Sequence, residues 1–232
     1  MRPRLLDLFC GAGGAAVGYH RAGFDVVGVD IHPQPNYPFE FVQDDALTVS
    51  GDWQDFDAIH ASPPCQAHTG MSNRWRGHGG KADSHRDLIP ATREMLADTG
   101  LPYVIENVPG ARSSLQSPVV LTGEMFGLGV HRPRLFESNC QLLVPPKSPA
   151  NRESIGVYGK AHDGRLLWRR KDGTEQHAAS SLEQAREAMG IDWMEWRELA
   201  ESIPPAYTEL IGQQLMQHVA HTRSDAGKGV MA

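Results

Sequence analysis

The chain is poor in cysteine, in long apolar runs and in surplus positive charge, and each shortage excludes something. It has three cysteines, Cys10, Cys65 and Cys140. They form no CxxC pair and no disulfide framework, so a reducing, cytoplasmic setting is expected. No apolar run is long enough to cross a bilayer. Met1-Arg2-Pro3-Arg4 leads straight into a strand-like run without a hydrophobic leader, so no signal peptide is expected. The formal net charge is −6. Phosphate neutralisation draws on surplus Lys and Arg, so this charge counts mildly against a nucleic-acid binder. Any nucleic-acid contact should fall where basic residues gather, at Arg74-Trp75-Arg76-Gly77-His78-Gly79-Gly80-Lys81 or at Arg165-Leu166-Leu167-Trp168-Arg169-Arg170-Lys171. Either stretch alone also reads as a solvated loop. His218 and His221 stand three apart with no cysteine or acid nearby, and no metal is expected. There is no internal repeat.

What is present is a core and a pattern. Hydrophobic residues make up 40% of the 232, enough for one domain, or one domain with an insertion. Strands are expected at 4–9, 24–29, 39–42, 58–61 and 103–108, and helices at 15–22 and 87–99. Gly23 and Gly100 stop those helices. Strands alternating with helices predict a mostly parallel α/β sheet. After Phe136 the periodicity weakens, and 137–180, rich in Pro, Gly, Lys and Arg, reads as a small insertion with loops. Helices are expected again at 182–189, 193–202 and 207–222, with a frayed tail from Arg223.

Three motifs sit at the carboxyl ends of predicted strands, where open α/β sheets bind ligands. The first is Asp7-Leu8-Phe9-Cys10-Gly11-Ala12-Gly13-Gly14, a glycine turn that lets a ligand approach the backbone. No Lys-Ser/Thr follows, so it is not a P-loop, and the strict GxGxxG spacing is missing. The second is Ala61-Ser62-Pro63-Pro64-Cys65-Gln66. Two prolines stiffen the chain before Cys65 and present its sulfur at a fixed angle, as a nucleophile requires. A lone cysteine can equally be a small buried hydrophobe. The third is Tyr103-Val104-Ile105-Glu106-Asn107-Val108, a strand ending in an acid.

Together and in this order the three resemble the DNA cytosine-5 methyltransferase family, over roughly residues 4–136 and 182–218. The resemblance implies a Rossmann-like fold for S-adenosylmethionine-dependent methyl transfer, with a mostly parallel sheet flanked by helices and a small insertion subdomain. It implies a catalytic, cofactor-binding region at 1–136, a reduced target-recognition insertion at 137–181, returning helices at 182–222 and a flexible tail at 223–232. S-adenosylmethionine would lie against Phe9, Gly11, Ala12, Gly13 and Gly14. Asp30 would take the ribose hydroxyls and Ile31 the adenine face. Asp45, with Asp44 competing, would accept from the adenine amino group, and Ala46 and Pro63 would complete the site. Cys65 would add to cytosine C6, Glu106 would hold N3 and the 4-amino group, and Arg134 would meet O2. Arg132 would support Glu106 or the loop. Pro64, Gln66, Arg74, Arg76, Lys81 and Arg86 would face DNA, the loop 70–86 closing over a base held outside the duplex. Cys10 and Cys140 read as packed and structural.

The chain departs from the family pattern in places. Asp30 stands where Glu is usual, Ile31 where an aromatic is common, and Val130 where Gln precedes the arginine pair. Ala200-Glu201-Ser202-Ile203-Pro204-Pro205 replaces Gly-Asn-Ser-Val-Pro-Pro. The segment 137–180 is short for a target-recognition region, so relaxed sequence preference, or a protein partner that supplies targeting, is expected. A monomer of phage-like type fits this trimming. Two alternatives stay open: the same chemistry on single-stranded DNA or a free cytosine nucleotide, and a cofactor-binding, DNA-associated protein without turnover. Intact Cys65, Glu106 and Arg134 speak against the last.

Overall fold

The computed structural model describes residues 2–49, 53–65, 68, 86–146, 153–159, 163–169, 171 and 173–229, with side chains as far as Arg223. Gln66, Arg74, Arg76 and Lys81, and most of the loop 70–86, lie outside the described residues.

Seven short segments form one sheet: β1 (Arg4–Leu8), β2 (Asp25–Asp30), β3 (Glu40–Gln43), β4 (Ala58–Ala61), β5 (Tyr103–Asn107), β6 (Val119–Leu121) and β7 (Arg134–Ser138). They lie in the order β3-β2-β1-β4-β5-β7-β6. The pairs among β1 to β5 are parallel. β7 runs antiparallel to β5, and β6 antiparallel to β7. The sheet is the mostly parallel, Rossmann-like arrangement that the alternation of elements predicts.

The period of two along each strand sorts the core into two layers. Leu5, Ala58, Val104 and Phe136 point to one face. Leu6, Leu8, Ile59, Ala61, Ile105 and Leu135 point to the other. Helices α1 (Gly14–Ala22) and α5 (Pro205–Gly229) cover the first face, and α2 (Ile89–Asp98) covers the second. Polar side chains break the first layer in a row. Asp7, His60 and Glu106 occupy its inward positions and are buried.

α1 and α5 approach closely because glycine lies at their crossing. A Cβ on Gly18 would sit 2.1 Å from Thr208 Oγ1 and 2.2 Å from the Pro205 carbonyl oxygen. The Thr208 hydroxyl donates to the Ala15 carbonyl at 2.9 Å, so the contact is hydrogen-bonded as well as packed. Gly18→Ala is expected to cost about 1–3 kcal/mol of unfolding free energy through overpacking. Urea denaturation of the variant beside the parent measures it.

The C-terminal helices differ from their sequence expectation at the ends. α3 (Leu182–Met189) begins where expected, capped by Ser181, whose hydroxyl accepts from the Gln184 amide at 3.1 Å. α4 covers only Trp196–Glu201, because Glu195 and Glu198 form a capping box that starts the helix there. Trp193, expected inside that helix, instead donates its indole N–H to the Ala12 carbonyl at 2.9 Å. α5 starts at Pro205, a residue suited to a first helical turn, and its backbone stays helical to Gly229, well past Arg223. Arg223 itself is held, donating to Asp57 Oδ1 at 2.6 and 3.0 Å.

The segment read as loops contains a second sheet. β8 (Glu153–Gly156), β9 (Leu166–Arg169) and β10 (Glu175–Ala178) lie in the order β8-β10-β9. Each has four residues, too few to show a period in sequence. Val130, Val157 and Ala179 pack with Ala12 and with Ala185, Met189, Ile191, Met194 and Leu199, so this sheet shares a core with α3, α4 and the glycine turn. Glu137 and Ser138, placed in the insertion from sequence, belong to β7.

Candidate active site

Strand order reverses between β1 and β4, and in open α/β sheets this leaves a crevice beyond the carboxyl ends of those strands. The glycine turn leaves β1 on one side of that crevice, and the Pro-Pro-Cys turn leaves β4 on the other.

The glycine turn is held in an unusual backbone conformation. Phe9, Gly11 and Gly13 all have positive φ, at 57°, 50° and 85°. The Cys10 amide donates to the Val29 carbonyl at 3.1 Å, and the Gly11 amide to Asp30 Oδ2 at 3.1 Å. Asp30, at the end of β2, thus clasps the turn, and its Oδ1 accepts from the His32 amide at 2.9 Å. The turn is open at one glycine only. A Cβ on Gly11 would meet nothing within 4 Å, whereas one on Gly13 would lie 2.8 Å from Pro38 Cδ and one on Gly14 1.9 Å from Ser202 Oγ. A ligand lying across the whole run, as sequence suggests, therefore has free space at Gly11. Gly13 and Gly14 face protein instead. Ala12 is buried.

Beside this opening, Ile31 is 58% exposed, unusual for a large aliphatic side chain. Asp45 is half-buried and its Oδ1 accepts from the Leu47 amide at 2.9 Å, a local turn bond. Asp44 is exposed and accepts from the Asp45 amide. Ala46 is buried in the second core layer.

Across the crevice, Pro63 is buried, Pro64 exposed and Cys65 half-buried. Asn107, singled out by no sequence argument, fastens this turn. Its amide donates to the Pro63 carbonyl at 2.9 Å and its Oδ1 accepts from the Val108 amide at 3.0 Å. The only hint in sequence is its place directly after Glu106. The ends of β4 and β5 are thereby tied together.

Register brings Glu106 and Arg134 together. Glu106 pairs across from Phe136, so Arg134, two residues away on β7, shares its face. Arg134 Nε lies 3.1 Å from Glu106 Oε1, and both side chains are buried. Burial raises the Glu106 carboxyl above its usual range, opposed by Arg134, a hydrogen bond from Ser62, and Arg132. The Cys65 thiol is also pushed up, first by burial and then by the Glu106 charge, while Arg134 draws it down.

Arg132 has a different post from the one its sequence neighbourhood suggests beside Glu106. Fully buried, it donates to three carbonyls, those of Ser202 at 2.7 Å, Ala200 at 2.7 Å and Val157 at 2.8 Å. Burial lowers its pKa to about 9. It holds the loop between α4 and α5 to the end of β8, the alternative of loop support. Its backbone φ of 32° lies in the left-handed region, and Tyr207 bonds its carbonyl at 2.9 Å.

The remaining candidates are peripheral. Arg86 is exposed ahead of α2. Of the second basic stretch, Arg169 pairs with Glu175 and Arg165 with Asp163, and both arginines are exposed. Cys10 is buried under the glycine turn. Cys140 lines a separate cleft of about 250 Å³ at the amino ends of β4 and β5, with Phe56, Leu101 and His218.

Residues 3–122 match the family model of the C-5 cytosine-specific DNA methylase. Among solved structures, the chain is similar to a protein assigned as a DNA modification methyltransferase encoded within an E. coli prophage. Identity is 14%, 94% of this chain and 99% of that one are covered, and the TM-score is 0.61. The Entamoeba histolytica methyltransferase EhMeth gives 14% identity, the same coverage and a TM-score of 0.58. The S. pombe methyltransferase Dnmt2 gives 13%, again the same coverage, and 0.57. No curated protein matches the sequence significantly. At these identities the structural likeness speaks for the fold, while the family model spans more than half of the chain, and the chain belongs to the C-5 cytosine-specific DNA methylase family.

Proposed function

We propose that this enzyme transfers a methyl group from S-adenosylmethionine to C5 of cytosine in DNA, by way of a covalent bond between Cys65 Sγ and C6 of a base turned out of the duplex. One observation carries the reading. The ends of β4, β5 and β7 gather a half-buried thiol, a buried carboxyl and a buried guanidinium at the crevice, the last two 3.1 Å apart.

Cytosine C5 is a weak nucleophile, and the arrangement answers that weakness. As the Cys65 thiolate bonds to C6, the C5=C6 electrons move through the ring to N3, where Glu106 delivers a proton. C5 becomes an enamine-like carbon. Arg134, beside Glu106, would meet O2 and offset charge on the adduct. Release needs the C5 proton to leave to a base, the C6–S pair to return to sulfur, and N3 to give its proton back to Glu106. Protonated Glu106 also selects cytosine, since uracil presents N3–H and O4 instead. The two raised groups assist each other. Once Glu106 holds a proton, its charge no longer opposes the Cys65 thiolate, and Arg134 is free to favour that thiolate.

The crevice fits an adenosyl group with a methionine arm. The space over Gly11 admits a backbone-hugging ligand, Asp30 offers carboxylate oxygens with spare lone pairs, and Ile31 offers an exposed apolar face. S-adenosylmethionine, when bound, supplies an electrophilic methyl group on a sulfonium. Asp30→Ala is expected to weaken cofactor binding by about 1–3 kcal/mol, because charged hydrogen bonds are lost. Since Asp30 also clasps Gly11, part of that loss is a loosened turn. Calorimetric titration reads it, and an unchanged affinity removes Asp30 from the site.

Chemistry on a base inside a duplex requires that base to be extruded. The family resemblance implies that the loop following Cys65 would close over it, and the small sheet of β8, β9 and β10 is the candidate reader of base edges. Incubation with radiolabelled S-adenosylmethionine and mixed-sequence duplex DNA, followed by nucleoside analysis, tests the proposal. Label in 5-methylcytosine is the expected result. Cofactor binding without label in duplex DNA would move the substrate to single strands or free nucleotides.

A further inference from the structure

Beneath Glu106 lies a line of buried and half-buried polar groups that the chemistry above leaves unused. His60 is fully buried on β4, on the same sheet face as Glu106. Its Nδ1 lies 2.9 Å from the Tyr19 hydroxyl, and its Nε2 lies 2.9 Å from Ser62 Oγ. Ser62 in turn lies beside the Glu106 carboxyl, and its hydroxyl favours the charged form of that carboxyl. Register explains the meeting. Ala61 pairs with Ile105 in parallel, so the next residue, Ser62, comes beside Glu106. His60 and Ser62 are two apart and share that face. Tyr19, from α1, lies over His60 with ring centroids 5.2 Å apart.

The line has a direction. Burial lowers the pKa of His60 to about 3, so its ring is neutral, with one nitrogen donating and the other accepting. Among the described residues, the Tyr19 hydroxyl has His60 Nδ1 as its hydrogen-bond partner. A buried O–H left without an acceptor is costly. Tyr19 therefore donates to Nδ1, which leaves the proton on Nε2. Nε2–H donates to Ser62 Oγ, which leaves the Ser62 proton available to Glu106 beside it. With the opposite polarity Tyr19 would have to donate elsewhere, and among the described residues the Asp7 carboxyl oxygens, buried on the same face, have no hydrogen-bond partner.

We propose that Tyr19, His60 and Ser62 form a one-way donor chain that steadies Glu106 as it loses its proton to cytosine N3, with His60 as the positioning residue that orients the Ser62 hydroxyl. This rests on the reading of Glu106 as the acid. The need for it is physical. A carboxyl that burial alone kept protonated would be a poor acid, because its conjugate base would lie unsolvated in the core. Arg134 meets Oε1 from the β7 side, and the Ser62 hydroxyl comes from the β4 side. The other charged or titratable groups that act on Glu106, Cys65 and Tyr19 are Arg132, Arg134, Asp7 and Glu201. None of these bonds to His60. The chain thus gives Glu106 a second stabilising contact that does not depend on Arg134.

The test is the titration of the Glu106 carboxyl itself, by carbon NMR of protein labelled at glutamate side chains, with the Glu106 signal assigned by its loss in Glu106→Gln. In Ser62→Ala and in His60→Phe the carboxyl is expected to titrate at higher pH than in the parent. In the double variant it should move no further than in Ser62→Ala, because His60 acts through Ser62. Methyl-transfer rate should fall about tenfold in each single variant, the scale of one charged hydrogen bond, with the alkaline limb of the pH profile moving up. Tyr19→Phe, which deletes one oxygen and keeps the packing, should move the titration in the same direction, and it serves if His60→Phe does not fold. An unmoved Glu106 titration in Ser62→Ala, or a shift in His60→Phe that adds fully to that of Ser62→Ala, overturns the chain. The arms separate the two ideas. Shifted titrations with an active Glu106→Gln would keep the chain and discard the acid. An inactive Glu106→Gln with unmoved titrations would do the reverse.

Discussion

Cys65→Ala is expected to lower methyl transfer by at least about 10⁴-fold, the scale seen when a nucleophile is removed from a covalent mechanism. Cofactor affinity should be unchanged. The reason for both is geometric. Cys65 leaves β4 on one side of the crevice and the open glycine, Gly11, leaves β1 on the other. The alanine variant keeps Pro63 and its bond from Asn107, so the turn should hold its shape. Rate measurement with labelled cofactor, paired with calorimetry, separates chemistry from binding. Substantial residual transfer would show that C6 is not attacked by this sulfur. Trapping gives a second view. The parent should form a denaturation-resistant complex with DNA containing 5-fluorocytosine, where the C5 substituent cannot leave, and Cys65→Ala should form none.

Glu106→Gln is expected to lower the rate by about 10²–10⁴-fold, the usual worth of a positioned acid. Glutamine preserves the size of the side chain and can still accept from the 4-amino group, but it has no proton to give to N3. Full activity would remove Glu106 from the mechanism. The pH dependence gives the same test without mutation. Activity needs Glu106 protonated and Cys65 ionised. Burial raises both groups, so the rate should lose its alkaline limb later than an ordinary carboxyl would allow, and gain its acid limb later than an ordinary thiol would. The parent's optimum therefore lies to the alkaline side of that for unperturbed groups. In Glu106→Gln the limb due to the carboxyl should vanish, and the thiol limb should move to lower pH, because the Glu106 charge that opposed ionisation is gone.

How much of this was legible beforehand depends on how far apart the cooperating residues are in sequence. The Pro63-Pro64 pair stiffens its own neighbour, so the presentation of Cys65 could be inferred from six adjacent letters. The same holds for the positive φ of Gly11 and for the strand ending at Asp30. Arg132 was harder. Its position in an Arg-Pro-Arg segment left support of the acid or of the loop open, and a left-handed backbone turns its side chain toward the carbonyls of Ala200 and Ser202, some seventy positions away. Gly13 and Gly14 read as part of an open ligand cradle, yet Pro38 and Ser202 cover them. The small sheet was missed because strands of four residues carry no period and take their stability from the core they share with α3 and α4.

The sequence by itself determined the parallel α/β sheet, the two turns at its carboxyl edge and the identity of the thiol, the acid and the arginine that meet there. The sheet and the turns follow from backbone restrictions and side-chain alternation within a few neighbouring residues, and the three side chains from the resemblance of their motifs to the family. Tertiary structure alone decided which partners those groups have. It set Ser62 beside Glu106, His60 behind Ser62, Arg134 across from the acid and Arg132 away from it. The reason is register. A side chain's neighbours across a sheet depend on the alignment of segments tens of residues apart, and shifting one strand by one residue would turn that strand's groups to the opposite face.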